Sequence, residues 1–204
     1  MQHRFVLLFC FAMLIADWVA PATWAGPGEV TVGVLAYRGD AASILRWTPT
    51  IRYLAEDIPG SEFQLLPLGL EEMSHALGQR KLDFILTNPG NYVELERRFG
   101  ISRIATLKNL RQGQPYTMFG AVILVRADRE DIRTLPDLKG KSFGAVSEAA
   151  FGGFQMAWRE LNKAGVDPYR DFSRLRFFDF PQDNIVLGVR DREIDAGTVR
   201  TDIL

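Results

Sequence analysis

The chain has 204 residues, 47% hydrophobic and 24% charged, with a formal net charge of -1. That length buries a sizeable core, and the near-neutral balance with no basic run makes nucleic acid a poor partner. Its one cysteine, Cys10, lies in an N-terminal apolar run, so the chain beyond that run holds no disulfide, thiol nucleophile or thiolate metal site.

Arg4 gives a positive start, residues 5–15 are apolar, and Ala20-Pro21-Ala22 and Thr23-Trp24-Ala25 offer small residues for cleavage. The run is shorter than the roughly 20 apolar residues of a bilayer span, and Asp17 interrupts it. Residues 1–25 therefore read as a cleaved export signal that delivers the mature protein to the periplasm. Leu7-Leu8-Phe9 before Cys10 does not resemble a lipid-attachment site.

Residues 30–87 and 141–199 read as one βαβαβ plan written twice. Each opens on an apolar strand, residues 30–36 and 141–146. Ile44, Leu45, Thr48, Ile51, Leu54 and Ala55 then recur at helical spacing in the first unit, and Phe154, Ala157, Trp158, Leu161 and Ala164 in the second. Ile58-Pro59-Gly60 and Gly165-Val166-Asp167-Pro168 close these helices. Strands at 63–68 and 175–180 and short helices at 71–78 and 184–190 follow. The last strands open on Lys81-Leu82-Asp83-Phe84 and Glu193-Ile194-Asp195-Ala196. This is an α/β chain of two lobes: residues 26–125 with the first hinge strand, and residues 126–204. Loops at the C-terminal ends of parallel strands, facing across a cleft, are where such folds bind small molecules.

Between the units, residues 101–107 and 116–126 read as strands that carry the chain from lobe to lobe as part of the hinge. Leu135 and Leu138 pack a short helix that Gly140 ends. The sequence stops at Leu204, just where a helix is expected, so the second lobe lacks its closing elements and the reading favours the front portion of a longer protein.

Five runs carry a family resemblance: Val32-Gly33-Val34-Leu35, Thr87-Asn88-Pro89-Gly90-Asn91-Tyr92, residues 135–141, residues 147–154, and Asp195-Ala196-Gly197-Thr198-Val199-Arg200. Together they resemble the phosphonate-binding (PhnD-like) branch of type II periplasmic solute-binding proteins. Residues 103–109 and 152–161 are most similar to the version that serves as the periplasmic sensor of histidine kinases, including tetrathionate sensors. The resemblance implies a two-lobed type II fold that closes on a small anionic ligand. It also implies either a membrane-embedded kinase portion of the same parent protein or an ABC permease as partner.

Thr87 and Asn88 offer a hydroxyl and an amide for a ligand oxygen. They suit equally an N-cap turn for a helix starting near Asn91. Tyr92 either reaches over the cleft or packs that helix. Ser147, Gly152 and Gly153 belong to the matching loop of the second lobe, where uncovered N–H groups at a helix start favour an anion. In the family this loop grips the oxyanion. Here Glu148 is an awkward neighbour, and Ala149, Ala150 and Phe151 replace part of the usual Ser and Thr content.

Tyr37 and Arg38 follow the first strand. Arg38 is the best-placed cation for an oxyanion, or else a loop arginine paired with Asp40. Arg200 ends the last strand and faces the cleft from the opposite side. Asp83 and Asp195 form a matched pair at strand starts and suit capping or turn formation. Trp47 and Trp158 suit core or lobe surface.

His75 is the only histidine beyond the signal and falls on a helix surface. Neither an HExxH zinc site, a Cys/His dyad, a phosphate loop nor a dinucleotide fingerprint occurs, and no cofactor or metal is expected. The expected function is capture of a small oxyanion between two lobes, as the sensory domain of a two-component histidine kinase. The alternative is the substrate-binding component of an ABC transporter for phosphonate or a similar anion. A periplasmic enzyme on the same fold is the remaining reading.

Overall fold

A computed structural model describes residues 28–201; the expected signal, residues 1–25, lies outside the described residues. The first lobe runs β1 (Glu29–Leu35), α1 (Asp40–Asp57), β2 (Glu62–Leu68), α2 (Leu70–Gly78), β3 (Phe84–Leu86) and α3 (Pro89–Phe99). A crossover follows with β4 (Asn109–Arg111), β5 (Gln114–Tyr116) and β6 (Ala121–Val125). The second lobe runs β7 (Ser142–Ala145), α4 (Met156–Lys163), β8 (Arg174–Phe177), α5 (Asp183–Arg190) and β9 (Ala196–Arg200). Both lobes are α/β and follow the βαβαβ plan.

Parallel pairing orders the first sheet β2-β1-β3. The second repeats that order as β8-β7-β9 and adds β6, antiparallel, on the outer side of β9. Because each β1-type strand is central, apolar side chains emerge on both of its faces. Around β7 this builds two clusters: Phe143, Leu161, Val166 and Phe172 on one face, Val146, Ile185, Ile194 and Val199 on the other. The first lobe centres on Leu35, Met73 and Leu95.

The paired aspartates explain how both lobes start their third strand. Asp83 Oδ2 accepts the Thr31 N–H at 2.8 Å, and Asp195 Oδ2 accepts the Ser142 N–H at 2.8 Å and the Ser142 hydroxyl at 2.7 Å. Each carboxylate thus staples the start of its strand to the central strand. Asp195 carries more, because Arg129 also pairs with it while holding Asp131. Burial raises the carboxyl pKa of Asp195, but the Ser142 bonds and Arg129 outweigh that and leave it below its ordinary value.

A folded pKa held below the unfolded one contributes stability above the ordinary carboxylate value of about 4 and loses it as pH falls through the folded value. Asp195→Asn is therefore expected to cost about 2 kcal/mol at neutral pH, with the gap to the parent narrowing in acid. Asp83→Asn, lacking the arginine, is expected to cost less. Urea denaturation of both variants at neutral and acid pH measures this.

Two strand expectations in the crossover are corrected. Residues 101–107 form no strand: Ile104 is 80% exposed and Leu107 42% exposed, and among the described residues no neighbouring strand takes their backbone groups. Residues 116–126 do not form one strand either. Tyr116 ends β5, which pairs with β4 around Gln112 and Gly113; both have positive φ (48° and 77°), the requirement of a tight two-residue hairpin turn. Only β6 remains of the longer run, and it joins the sheet of the second lobe. The short helix at Leu135–Leu138 is present as a 3₁₀ turn, started by Thr134 and Asp137, with Gly140 just beyond at φ 75°.

Candidate functional site

Two segments of the first lobe and three of the second leave the C-terminal ends of their strands and carry the candidates. After β1 come Tyr37 and Arg38, and after β3 come Thr87 and Asn88. The second lobe supplies Ser147 after β7, residues 180–183 after β8, and Arg200 at the end of β9. The lobes touch at Gly90 and at Phe180, among other places. A Cβ on Gly90 would overlap the Gln155 amide, so the start of α3 lies against the turn after β7. Phe180 packs against the Leu35, Met73 and Leu95 cluster of the first lobe and also against the Val146 and Ile185 cluster of its own. The loops that carry Thr87 and Ser147 thus meet where the start of α3 lies against the turn after β7.

The sequence-derived candidates find definite partners. Asn88 N-caps α3: its Oδ1 accepts the Asn91 N–H at 3.0 Å, its extended backbone is what a residue before proline adopts, and Pro89 starts the helix. The Thr87 hydroxyl accepts from Asn91 Nδ2 at 2.8 Å, so its own proton points elsewhere. Asn91, only 2% exposed, was not singled out from sequence, although its position three residues after an N-cap marks it. The Tyr92 hydroxyl donates to Glu96 one turn along its own helix, and this bond raises its pKa.

Tyr37 accepts from Arg46 at 2.7 Å, and its ring centroid lies 6.0 Å from the Arg200 guanidinium. Arg38 reaches across the lobes to Asp183, with Nη1 3.1 Å from Oδ2, and does not pair with Asp40. Arg200 lies 4.1 Å over the Phe119 ring, and Gln182, only 5% exposed, takes its backbone N–H at 2.8 Å.

In the loop after β7, residues 151–155 form a π-turn that runs into α4. Gly152 and Gly153 are buried in it. A Cβ on Gly152 would stand 3.0 Å from the Gly120 carbonyl oxygen, and one on Gly153 would overlap Val146. Their lack of a side chain lets the turn lie on the hinge strand and on β7. Glu148 is turned aside: Oε1 accepts the Tyr169 hydroxyl at 2.8 Å. The Ser147 hydroxyl is buried, and among the described residues nothing bonds to it. Ser147 follows β7 and Arg200 ends β9, the strand paired in parallel with β7.

Trp158 stacks on Phe154 at 5.4 Å and Trp47 stays on α1 beside Arg46. His75 is exposed on α2, where its ring hydrogen-bonds Gln79. A surface hollow between β2 and α2 also contains His75, but Asp40, Glu71 and Glu72 line it and repel an anion.

Among solved structures, PhnD1 from Prochlorococcus marinus in complex with methylphosphonate superposes with a TM-score of 0.72 at 19% identity, over 87% of this chain and 65% of that one. The periplasmic aliphatic sulphonate-binding protein SsuA from Escherichia coli superposes at TM-score 0.58 and 15% identity, over 87% and 55%. At these identities the likeness shows the fold, that of type II periplasmic binding proteins. The tetrathionate sensor histidine kinase TtrS of Salmonella typhimurium is 37% identical over 177 residues, 86% of this chain but 29% of the kinase. The chain thus spans under a third of that relative and just under two thirds of PhnD1. A family profile described as the periplasmic substrate-binding protein of a phosphonate ABC transporter matches residues 32–204, and on that match the chain belongs to the phosphonate-binding (PhnD-like) family of periplasmic solute-binding proteins.

Proposed function

We propose that this module captures a small oxyanion between its lobes and serves as the sensory domain of a two-component histidine kinase, exported by a cleaved signal at residues 1–25. One observation carries the site: a buried hydroxyl without a partner among the described residues, Ser147 Oγ, in the turn that follows β7. An unsatisfied buried hydroxyl costs about 1–3 kcal/mol, which a ligand oxygen recovers on binding. Arg200 adds a fixed charge, Thr87 offers a hydroxyl proton from the opposing lobe, and the Tyr169 bond keeps the Glu148 carboxylate from repelling the anion. Closure is favoured only to the extent that the anion binds the closed form better than the open one. The kinase assignment rests on the 37% identity to a tetrathionate sensor.

Ser147→Ala tests the site. Without anion its melting temperature is expected to stay level or rise, because the orphaned hydroxyl is gone. Anion affinity is expected to fall about tenfold, the worth of one hydrogen bond to a charged group. Thermal shift against tetrathionate, thiosulfate, sulfite, methylphosphonate and phosphate reads both. Unchanged affinity in Ser147→Ala, or no stabilisation of the parent by any of the five, rejects the site.

The family description favours a second reading, a solute-binding component that delivers its anion to an ABC permease. Adjoining permease genes would support transport, and an adjoining response-regulator gene would support sensing.

A further inference from the structure

Arg38 is the cation that the sequence places best for an anion, yet its charge is already engaged. Its Nη1 lies 3.1 Å from Asp183 Oδ2 and 3.5 Å from Oδ1, across the lobes and 145 residues along the chain. The segment that supplies Asp183 also supplies Phe180, which packs into the first lobe against Leu35, Met73 and Leu95. Between them, Gln182 ties the segment to the end of β9 through the Arg200 N–H. One loop of the second lobe thus places an apolar contact and an ion pair on the first lobe, anchored at its own base.

We propose that Arg38, Phe180 and Asp183 form a latch that holds the lobes together without ligand, so that Arg38 serves closure. The latch deepens the two-lobe capture reading, but the contact itself needs no anion. The ion pair is about half exposed, 45% and 47%, so it is weak and screened by salt. An exposed pair of this kind shifts the closed-to-open ratio about threefold, and burying a phenyl ring shifts it about tenfold or more. Whatever raises the closed population without ligand raises apparent affinity by the same factor.

The test uses the full chain with Cys10→Ser and nitroxide labels on Arg52→Cys in α1 and Lys163→Cys in α4. Distances between the labels are read by double electron–electron resonance with no anion present. Asp183→Asn and Arg38→Gln are each expected to move the population about threefold toward longer distances, and Phe180→Ala about tenfold. The charge swap Arg38→Asp with Asp183→Arg is expected to restore the parent distribution. High salt is expected to blunt the two charge variants and spare the effect of Phe180→Ala.

Distances unchanged in both charge variants, or a swap that restores nothing, overturn the latch. So does Arg38→Gln abolishing the thiosulfate or methylphosphonate thermal shift while the distances stay at the parent values, because Arg38 then belongs to the anion site. If no anion stabilises the chain but the distances respond as stated, the latch stands and the capture reading falls.

Discussion

Gly153→Val is expected to destabilise the protein by about 3 kcal/mol, while Gly90→Ala is expected to be nearly silent. Both glycines leave no room for a Cβ, but the neighbours differ in kind. At Gly153 the added atom overlaps Val146 Cγ2 and stands 2.9 Å from Val146 Cβ and 3.3 Å from Ala150 Cβ. Val146 is fully buried and branched at Cβ, so it cannot yield without moving the exit of β7. The Gly153 carbonyl also accepts the Val146 N–H at 3.2 Å, which pins the turn to that strand. At Gly90 the obstacle is the far end of Gln155, a half-buried side chain that can swing aside by giving up its bond to the Glu148 carbonyl. Against a total stability of about 5–15 kcal/mol, the Gly153 change is large. Urea midpoints for the two variants measure it. A Gly153→Val protein as stable as the parent would mean that the glycine is there to expose its N–H and not to pack.

The doubled plan was legible because a parallel sheet buries its strands on both faces, so the apolar runs of β1 and β7 stand out from the polar turns around them. The matched aspartates were legible as a pair at the strand starts, but their role is not the expected capping or turn formation: each carboxylate reaches across to the central strand, at Thr31 or Ser142. Residues 101–107 were misread for a definite reason. Ile101, Ile104, Thr106 and Leu107 have strand propensity, but a strand exists only where a neighbour accepts its ladder, and no local pattern reports that neighbour. The hairpin at Gln112-Gly113 was overlooked because Gln is not among the usual residues at a positive φ.

In the proposed site, Thr87, Ser147 and Arg200 could be named from strand ends together with the family resemblance. Their partners could not. Arg38 was weighed against Asp40, two residues away, whereas the fold gives it Asp183 from the other lobe. Phe119, Phe180 and Gln182 escaped notice for the same reason, since a contact between lobes leaves no periodic trace in either segment. Glu148 looked wrong for an anion only while Tyr169, twenty-one residues on, was not seen beside it.

Phe154→Ala is expected to cost about 3–5 kcal/mol and to weaken anion binding as well, whereas Tyr169→Phe is expected to keep most of the stability and lose only binding. Phe154 is fully buried, stacks on Trp158 at 5.4 Å, and presents its face or edge to Phe177 at 5.3 Å and Tyr169 at 6.2 Å. Removing it leaves a cavity under the ring that positions the Tyr169 hydroxyl. Burial, aided by the bond to Glu148, pushes that phenol up to about 12, so it stays a neutral donor across ordinary pH. Tyr169→Phe deletes the donor and leaves the ring, freeing the Glu148 carboxylate to turn toward the groove. A carboxylate near 4 Å from an anion in watery surroundings opposes it by about 1 kcal/mol, or about fivefold in affinity. Glu148→Gln added to Tyr169→Phe is expected to recover that loss, since no charge remains to repel. Calorimetric titration of the anion found by thermal shift, with denaturation of each variant alongside, separates the two effects. If Tyr169→Phe binds as tightly as the parent with Glu148 intact, the phenol is not what makes this loop tolerable to an anion.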